Sequence, residues 1–127
     1  MRLLLDTNVV LWWMSRDDPL RTEAGRLIAE PDNEVLLSVI SLWEIAIKNR
    51  VGKLDVPIGE VTALAEAQRF TRVGIEDAHL DALAGLPRHH GDPFDHLLIA
   101  QAIAEGAAFV TRDRMAARYP VEVIAAG

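Results

Sequence analysis

Five short apolar runs alternate along this chain with segments of helical spacing, and that alternation restricts the fold more than any other feature. The runs are Arg2–Leu5, Val35–Ser38, Phe70–Val73, Ala107–Thr111 and Val121–Ile124. Between them, Leu20, Ala24, Leu27 and Ile28 follow the i, i+4, i+7, i+8 spacing of a buried helical stripe, and Ile58, Val61, Leu64 and Ala65 do much the same. Pro57 breaks the chain ahead of the second stripe, and Gly106 stops a helix expected from about Pro93 to Glu105. Runs that are apolar throughout, rather than alternating, belong to parallel strands covered on both faces by helices. The chain is therefore expected to be α/β, a three-layer α/β/α sandwich around a mostly parallel five-stranded sheet. With no repeat, low-complexity tract or long linker, residues 1–127 are expected to form one domain with a real hydrophobic core.

Composition removes several classes of function. There is no cysteine, so neither a disulfide nor a thiolate metal site can be built. The net charge of -6 opposes general polyanion binding over the whole surface, while leaving room for local basic patches. Uncharged runs such as Val35 to Trp43 fall well short of the ~18 residues of a membrane span. Asp6 interrupts what would be a signal-peptide core, and no A-x-A cleavage site follows. The expectation is a soluble, cytoplasmic protein.

In parallel sheets ligands bind at the carboxyl ends of the strands, and acids gather there in this sequence. Asp6 ends the first run, in "RLLLDTN", and Asp113 follows another, in "AFVTRD". Two more acids are expected in the opening turns of helices, whose N-termini point to the same edge in a right-handed βα arrangement. Glu44, in "VLLSVISLWEIAIK", is the only charge between Glu34 and Lys48. Asp95, in "HHGDPFDHLLIAQAIAEG", shares a helix face with Leu98, Ile99, Ala102 and Gly106, so it extends the stripe that faces the sheet.

Each acid also has a purely structural explanation. Asp6 can N-cap a helix starting at Thr7 or Asn8. Asp92 reads as the N-cap of the later helix, with Pro93 at its first position and Asp95 at its third, where the helix dipole favours a negative charge. Asp113 can be a loop acid, and Glu44 can pair with Lys48 one turn on. Against four separate coincidences stands their convergence on one sheet edge. Clustered carboxylates repel unless a cation sits between them, and oxygen-only ligands suit a hard ion such as Mg²⁺ or Mn²⁺. That chemistry serves metal-assisted phosphodiester hydrolysis, in which the ion polarises the phosphate and activates water.

Rival sites are weaker. His79, His89, His90 and His96 match no zinc spacing, "VGKLD" is not a phosphate-binding loop, and no G-x-S-x-G nucleophile elbow is present. Trp12, Trp13 and Trp43 sit among aliphatic residues and read as core or interface. Lys48, Arg50 and Lys53 form a basic cluster, read either as a solvated face or as a phosphate contact. A receiver-like signalling domain needs paired acids after the first strand and a lysine after the last. Here Asp6 stands alone and no lysine follows Lys53.

Four segments, "LLLDTN", "SLWEIAIK", "DPFDHLLIAQA" and "FVTRD", occur in an order that resembles the PIN domain, more narrowly the VapC-type toxins of bacterial toxin–antitoxin pairs. The resemblance covers essentially the whole chain. It implies a PIN-like α/β/α sandwich, an Mg²⁺- or Mn²⁺-dependent endoribonuclease acting on RNA, a cognate VapB-type antitoxin and a homodimer. Carried over motif by motif, the catalytic and metal-binding acids are Asp6, Glu44, Asp95 and Asp113, with Thr111 in support. His96 stands where the family commonly has arginine, and Asn8 where this subgroup often has histidine. Arg112, Arg114 and Arg118 are candidates for a basic rim around the site. A housekeeping RNA-processing nuclease of the same fold is the alternative.

Overall fold

A computed structural model describes residues 1–15, 22–89 and 91–126. The expected positions Leu20 and His90 lie outside the described residues. In chain order the elements are β1 (Arg2–Leu5), α1 (Thr7–Met14), α2 (Glu23–Ala29), β2 (Glu34–Ser38), α3 (Val39–Arg50), α4 (Ile58–Ala67), β3 (Thr71–Val73), α5 (Asp77–Ala84), α6 (Pro93–Ala104), β4 (Ala108–Thr111), a 3-10 helix (Arg114–Arg118) and β5 (Val123–Ala125).

The five strands form one sheet in the order β3-β2-β1-β4-β5, and every pairing is parallel. Strand β1 is central: Leu4 pairs with Leu36 on one side and with Phe109 on the other. Because side chains alternate across a strand, the apolar runs feed two cores. Leu3, Leu5, Val35, Leu37 and Val110 pack with Val9, Ala24, Ile28, Ile45 and Val61 from α1 to α4. Leu4, Leu36 and Phe109 pack on the opposite face with Leu98, Ile99 and Ala102 of α6 and with Tyr119. Both faces are covered, so the strands carry no polar alternation. Among the described residues no helix is long and apolar enough to cross a membrane.

Two boundaries differ from expectation. The last strand begins at Val123 rather than Val121, because Val121 is held in the turn after Pro120, its N–H donating to the Tyr119 carbonyl at 2.8 Å. Helix α3 begins directly after β2, where the Ser38 hydroxyl accepts the Ile40 N–H at 3.0 Å. Glu44 therefore lies in the second turn of its helix and not in the opening one. Gly106 ends α6 as expected, with the positive φ of 63° that favours glycine.

The order of strands places a switch point between β1 and β4: from β1 the chain builds outward to β2 and β3 on one side and later to β4 and β5 on the other. A crevice opens at the carboxyl ends of two such strands, and this is where parallel sheets bind ligands. Asp6 follows β1 and Asp113 follows β4, one on each side of it.

Candidate metal centre

A hydroxyl bridges the crevice. The Thr111 hydroxyl, at the end of β4, donates to Asp6 Oδ2 at 2.7 Å, and the Thr111 Oγ1 in turn accepts the Asp113 backbone N–H at 3.0 Å. Asp6 also donates its backbone N–H to the Val110 carbonyl at 2.9 Å. The position is the N-cap of α1, but the Asp6 side chain makes no capping hydrogen bond, so capping does not account for the carboxylate. It is only 4 % exposed, and burial raises its pKa above the usual carboxylate range. The Thr111 hydroxyl and the Thr7 amide oppose that rise, while the charges of Glu44 and Asp113 add to it.

Glu44 reaches the same crevice from α3. The buried Thr7 hydroxyl donates to Ser41 Oγ at 3.0 Å, joining the residue after Asp6 to the α3 residue one turn before Glu44. Glu44 is 5 % exposed, and its two oxygens differ. Oε2 accepts from Lys48 Nζ at 2.7 Å, whereas Oε1 is buried with no hydrogen-bond partner. Lys48 thus leaves the basic cluster it was grouped with, while Arg50 and Lys53 remain exposed.

Asp95 comes from the third position of α6. Asp92 caps that helix as expected, accepting the Phe94 N–H at 2.9 Å and the Asp95 N–H at 3.3 Å, with Pro93 at the first position. The Asp95 carboxyl is pushed up to about 7, first by burial and then by the negative charges of Asp6, Asp92, Glu44 and Asp113. The four acids expected from sequence therefore all face one another electrostatically. Asp113 also caps the 3-10 helix, accepting the Met115 N–H at 2.9 Å, so one of its oxygens has structural work as well.

A cation is what this donor set suits. A buried carboxylate oxygen without a partner is costly, and carboxylates that raise one another's pKa are relieved by a positive ion. Oxygen donors suit a hard divalent ion that keeps several of its waters. The residue types fit such an ion, which Asp6, Glu44 and Asp95 would hold with Asp113 beside them, although no three of the four offer oxygens that all lie within 4.8 Å of one another. A cavity of about 350 Å³, lined by Thr111, Arg112, Asp113 and Arg114, opens next to the crevice. Arg112 and Arg114 are exposed there, as a basic rim requires, and Arg118 is exposed at the end of the 3-10 helix that follows.

A second cluster was not foreseen from the histidine spacing. Among the described residues, Glu76, His79 and Glu105 are the group whose donor atoms all lie within 4.8 Å of one another. His79 is fully buried and already committed: Nδ1 accepts the Glu76 N–H at 3.0 Å and Nε2 pairs with Glu105 at 2.9 Å. Glu105 in turn binds Arg2, which also pairs with Glu34 at 2.8 Å. This structural network links the loop after β3 and helix α5 to the C-cap of α6 and the start of β1, and no sequence motif joins its members.

Residues 3–122 match the PIN domain family. The chain belongs to the PIN-domain family. It is 32% identical over 114 residues, 88% of its own length and 87% of the relative's, to Ribonuclease VapC22 of Mycobacterium tuberculosis. In fold this PIN domain is similar to a chain of VapBC2 from Rickettsia felis bound to a DNA fragment from their promoter, with a TM-score of 0.78, 19% identity and 98% of each chain covered. It is also similar to a chain of a toxin-antitoxin complex from Klebsiella pneumoniae, with a TM-score of 0.63, 20% identity and 98% of each chain covered. The all-parallel sheet with helices on both faces is the PIN arrangement.

Proposed function

We propose that this PIN domain is a divalent-metal-dependent endoribonuclease, the toxin of a toxin–antitoxin pair, working in the cytoplasm with Mg²⁺ or Mn²⁺. The observation that carries the reading is the pairing of a buried, unpartnered Glu44 oxygen with an Asp95 carboxyl raised to about 7 by burial and by the acids around it. The ribonuclease name of its 32% relative supports the substrate class, and the toxin–antitoxin complexes among its fold relatives support a VapB-type partner and a homodimer.

When bound, a divalent ion supplies polarisation of the scissile phosphate and a lower pKa for attacking water. The chain's own residues do the rest. Asp6 is fixed by the Thr111 hydroxyl, so its carboxylate is preorganised and cannot rotate freely. Glu44 is fixed by Lys48 and by the Thr7–Ser41 bond beneath it. Asp95, the most exposed of the three and raised to about 7, is the group best suited to exchange a proton with water. Arg112 and Arg114 line the adjoining cavity and can steer the RNA backbone toward the acids. The surface need not be basic elsewhere, in keeping with the net charge of -6.

The purified chain, freed of any antitoxin, should cleave single-stranded or loop RNA in Mg²⁺ or Mn²⁺ and stop in EDTA. In cells, its expression should arrest growth, and co-expression of the small protein encoded beside it should restore growth. Full cleavage in EDTA ends the metal-nuclease reading. Growth arrest that survives the Asp6→Asn, Asp95→Asn double variant separates toxicity from this site.

A further inference from the structure

We propose that Lys48 is a positioning residue of the acid centre: its ammonium occupies Glu44 Oε2 in place of a second cation, leaving Oε1 for one divalent ion per chain. The inference rests on the metal-nuclease reading above and decides a property which that reading leaves open.

Glu44 is buried, and each of its oxygens needs a partner. Only Oε2 has one, the Lys48 ammonium at 2.7 Å, one turn along the same helix. The ion pair is lopsided in burial. The Glu44 side chain is 7 % exposed and that of Lys48 35 %, so the lysine reaches inward over the carboxylate while its stem stays at the surface. Asp92 and Asp95 also lie within electrostatic reach of the same ammonium. Lys48 therefore stands among three carboxylates, where a second cation would otherwise be drawn.

Charge counting leads the same way. Asp6, Glu44, Asp95 and Asp113 carry four negative charges when ionised. One divalent ion and Lys48 together cancel three of them, leaving a weakly negative centre that the RNA phosphate can still approach past Arg112 and Arg114. Without Lys48, the same centre holds enough uncompensated charge for another divalent ion. Lysine suits the part better than arginine would. Its ammonium is a compact point charge that takes one oxygen, whereas a guanidinium fork tends to bind both oxygens of a carboxylate and would close Oε1.

The test counts bound Mn²⁺ in the full chain, by calorimetry or by the loss of the free-ion electron-spin signal. Wild type should bind one Mn²⁺ per chain, with Asp6→Asn abolishing it. Lys48→Met, which keeps the stem and removes the charge, should bind two. RNA cleavage by Lys48→Met should fall about tenfold or more, as it does when a group that orients a metal ligand is removed. Two ions on wild type overturn the proposal, and so does a folded Lys48→Met protein that binds one ion or none. The wild-type count alone can refute it, even if the variant does not fold. No Mn²⁺ on wild type, with cleavage undiminished in EDTA, would instead refute the metal-nuclease reading itself.

Discussion

Asp95 in the first turn of α6 and Glu105 at its last lie on one helix, yet their carboxyl groups are driven in opposite directions. Asp95 is raised to about 7 because burial and four other acids surround it. Glu105 is held below the usual range, first by its hydrogen bond from His79 and then, against some burial, by Arg2. The helix dipole would predict the reverse, since an acid is favoured at the N-terminus and disfavoured at the C-terminus. Burial together with neighbouring acids at one end, and hydrogen-bonded partners at the other, therefore outweigh the dipole. At the amino edge of the sheet Arg2 pairs with Glu34 and Glu105, and His79 adds a hydrogen bond to Glu105. At the carboxyl edge Lys48 pairs with Glu44 amid a crowd of acids, and Glu44 Oε1 has no hydrogen-bond partner among the described residues. The same side-chain chemistry makes a clamp at one edge and a donor set suited to a cation at the other.

The largest effect that can break this comparison is on catalysis. Loss of a residue that merely orients a metal ligand costs roughly 10–100-fold, so removing a ligand should cost more. Asp6→Asn should lower RNA cleavage by more than about 100-fold, while Glu105→Gln should leave kcat within about threefold at temperatures where both proteins are folded. Cleavage assays on both variants, with folding checked by circular dichroism, measure it. Activity that follows Glu105 and ignores Asp6 would exchange the roles of the two edges.

The two edges also differ in how far the sequence discloses them. The apolar runs marked β1 to its residue and the other strands to within about two, because both faces of a parallel strand are buried and its hydrophobicity shows at once. Two of the four acids stood out for the same reason: Asp6 and Glu44 interrupt segments where a charge is expensive. The bonds that aim them were hidden. Thr7 and Ser41 are small hydroxyl residues in unrelated segments, and only folding brings their oxygens to 3.0 Å. The network around His79 was less visible still. Ser38, Gln101, His79, Glu105 and Arg2 are linked in a row of hydrogen bonds that runs from the carboxyl end of β2 through α6 and α5 to the start of β1, four elements or their flanks that no spacing rule connects. Glu44's place in the second turn was missed because Ser38 caps α3 without any intervening loop, so no turn residue announces the helix start.

The next effect is on stability alone. His79→Ala would strip the Glu76 N–H and Glu105 of their shared partner in a fully buried position. Leaving such groups unpaired costs about 2–4 kcal/mol. The protein should melt at a clearly lower temperature, yet its Mg²⁺-induced rise in melting temperature should match that of wild type. Loss of the Mg²⁺ shift in His79→Ala would mean that the two edges are coupled through α6 and are not independent.

The smallest effect distinguishes a strained site from a helix-terminus charge at Asp95. An acid whose pKa is near 3.8 unfolded and about 7 folded binds a proton in the folded state that the unfolded state has already lost. Its contribution to stability is neutral below about pH 4, falls as pH rises, and is fully unfavourable above about pH 7. Three units correspond to about 4 kcal/mol for a wholly buried group, and solvent screening of this partly exposed one reduces that to roughly 1–2 kcal/mol. Asp95→Asn should therefore stabilise the metal-free protein by roughly 1–2 kcal/mol at about pH 8 and by almost nothing at about pH 4, while its RNA cleavage collapses, the usual trade between stability and a functional site. Mg²⁺ at ten times its dissociation constant should stabilise wild type by roughly 1.4 kcal/mol through mass action, and the variant by clearly less. The ion competes with the Asp95 proton, so the wild-type shift should shrink between about pH 8 and about pH 6. Melts of both proteins in EDTA and in Mg²⁺, across that range, measure all three quantities. If Asp95 served only the helix terminus, asparagine would cost about 0.3–1 kcal/mol at neutral pH. A variant that melts below wild type in EDTA and keeps the full Mg²⁺ shift would return Asp95 to that role and leave the cation to Asp6, Glu44 and Asp113.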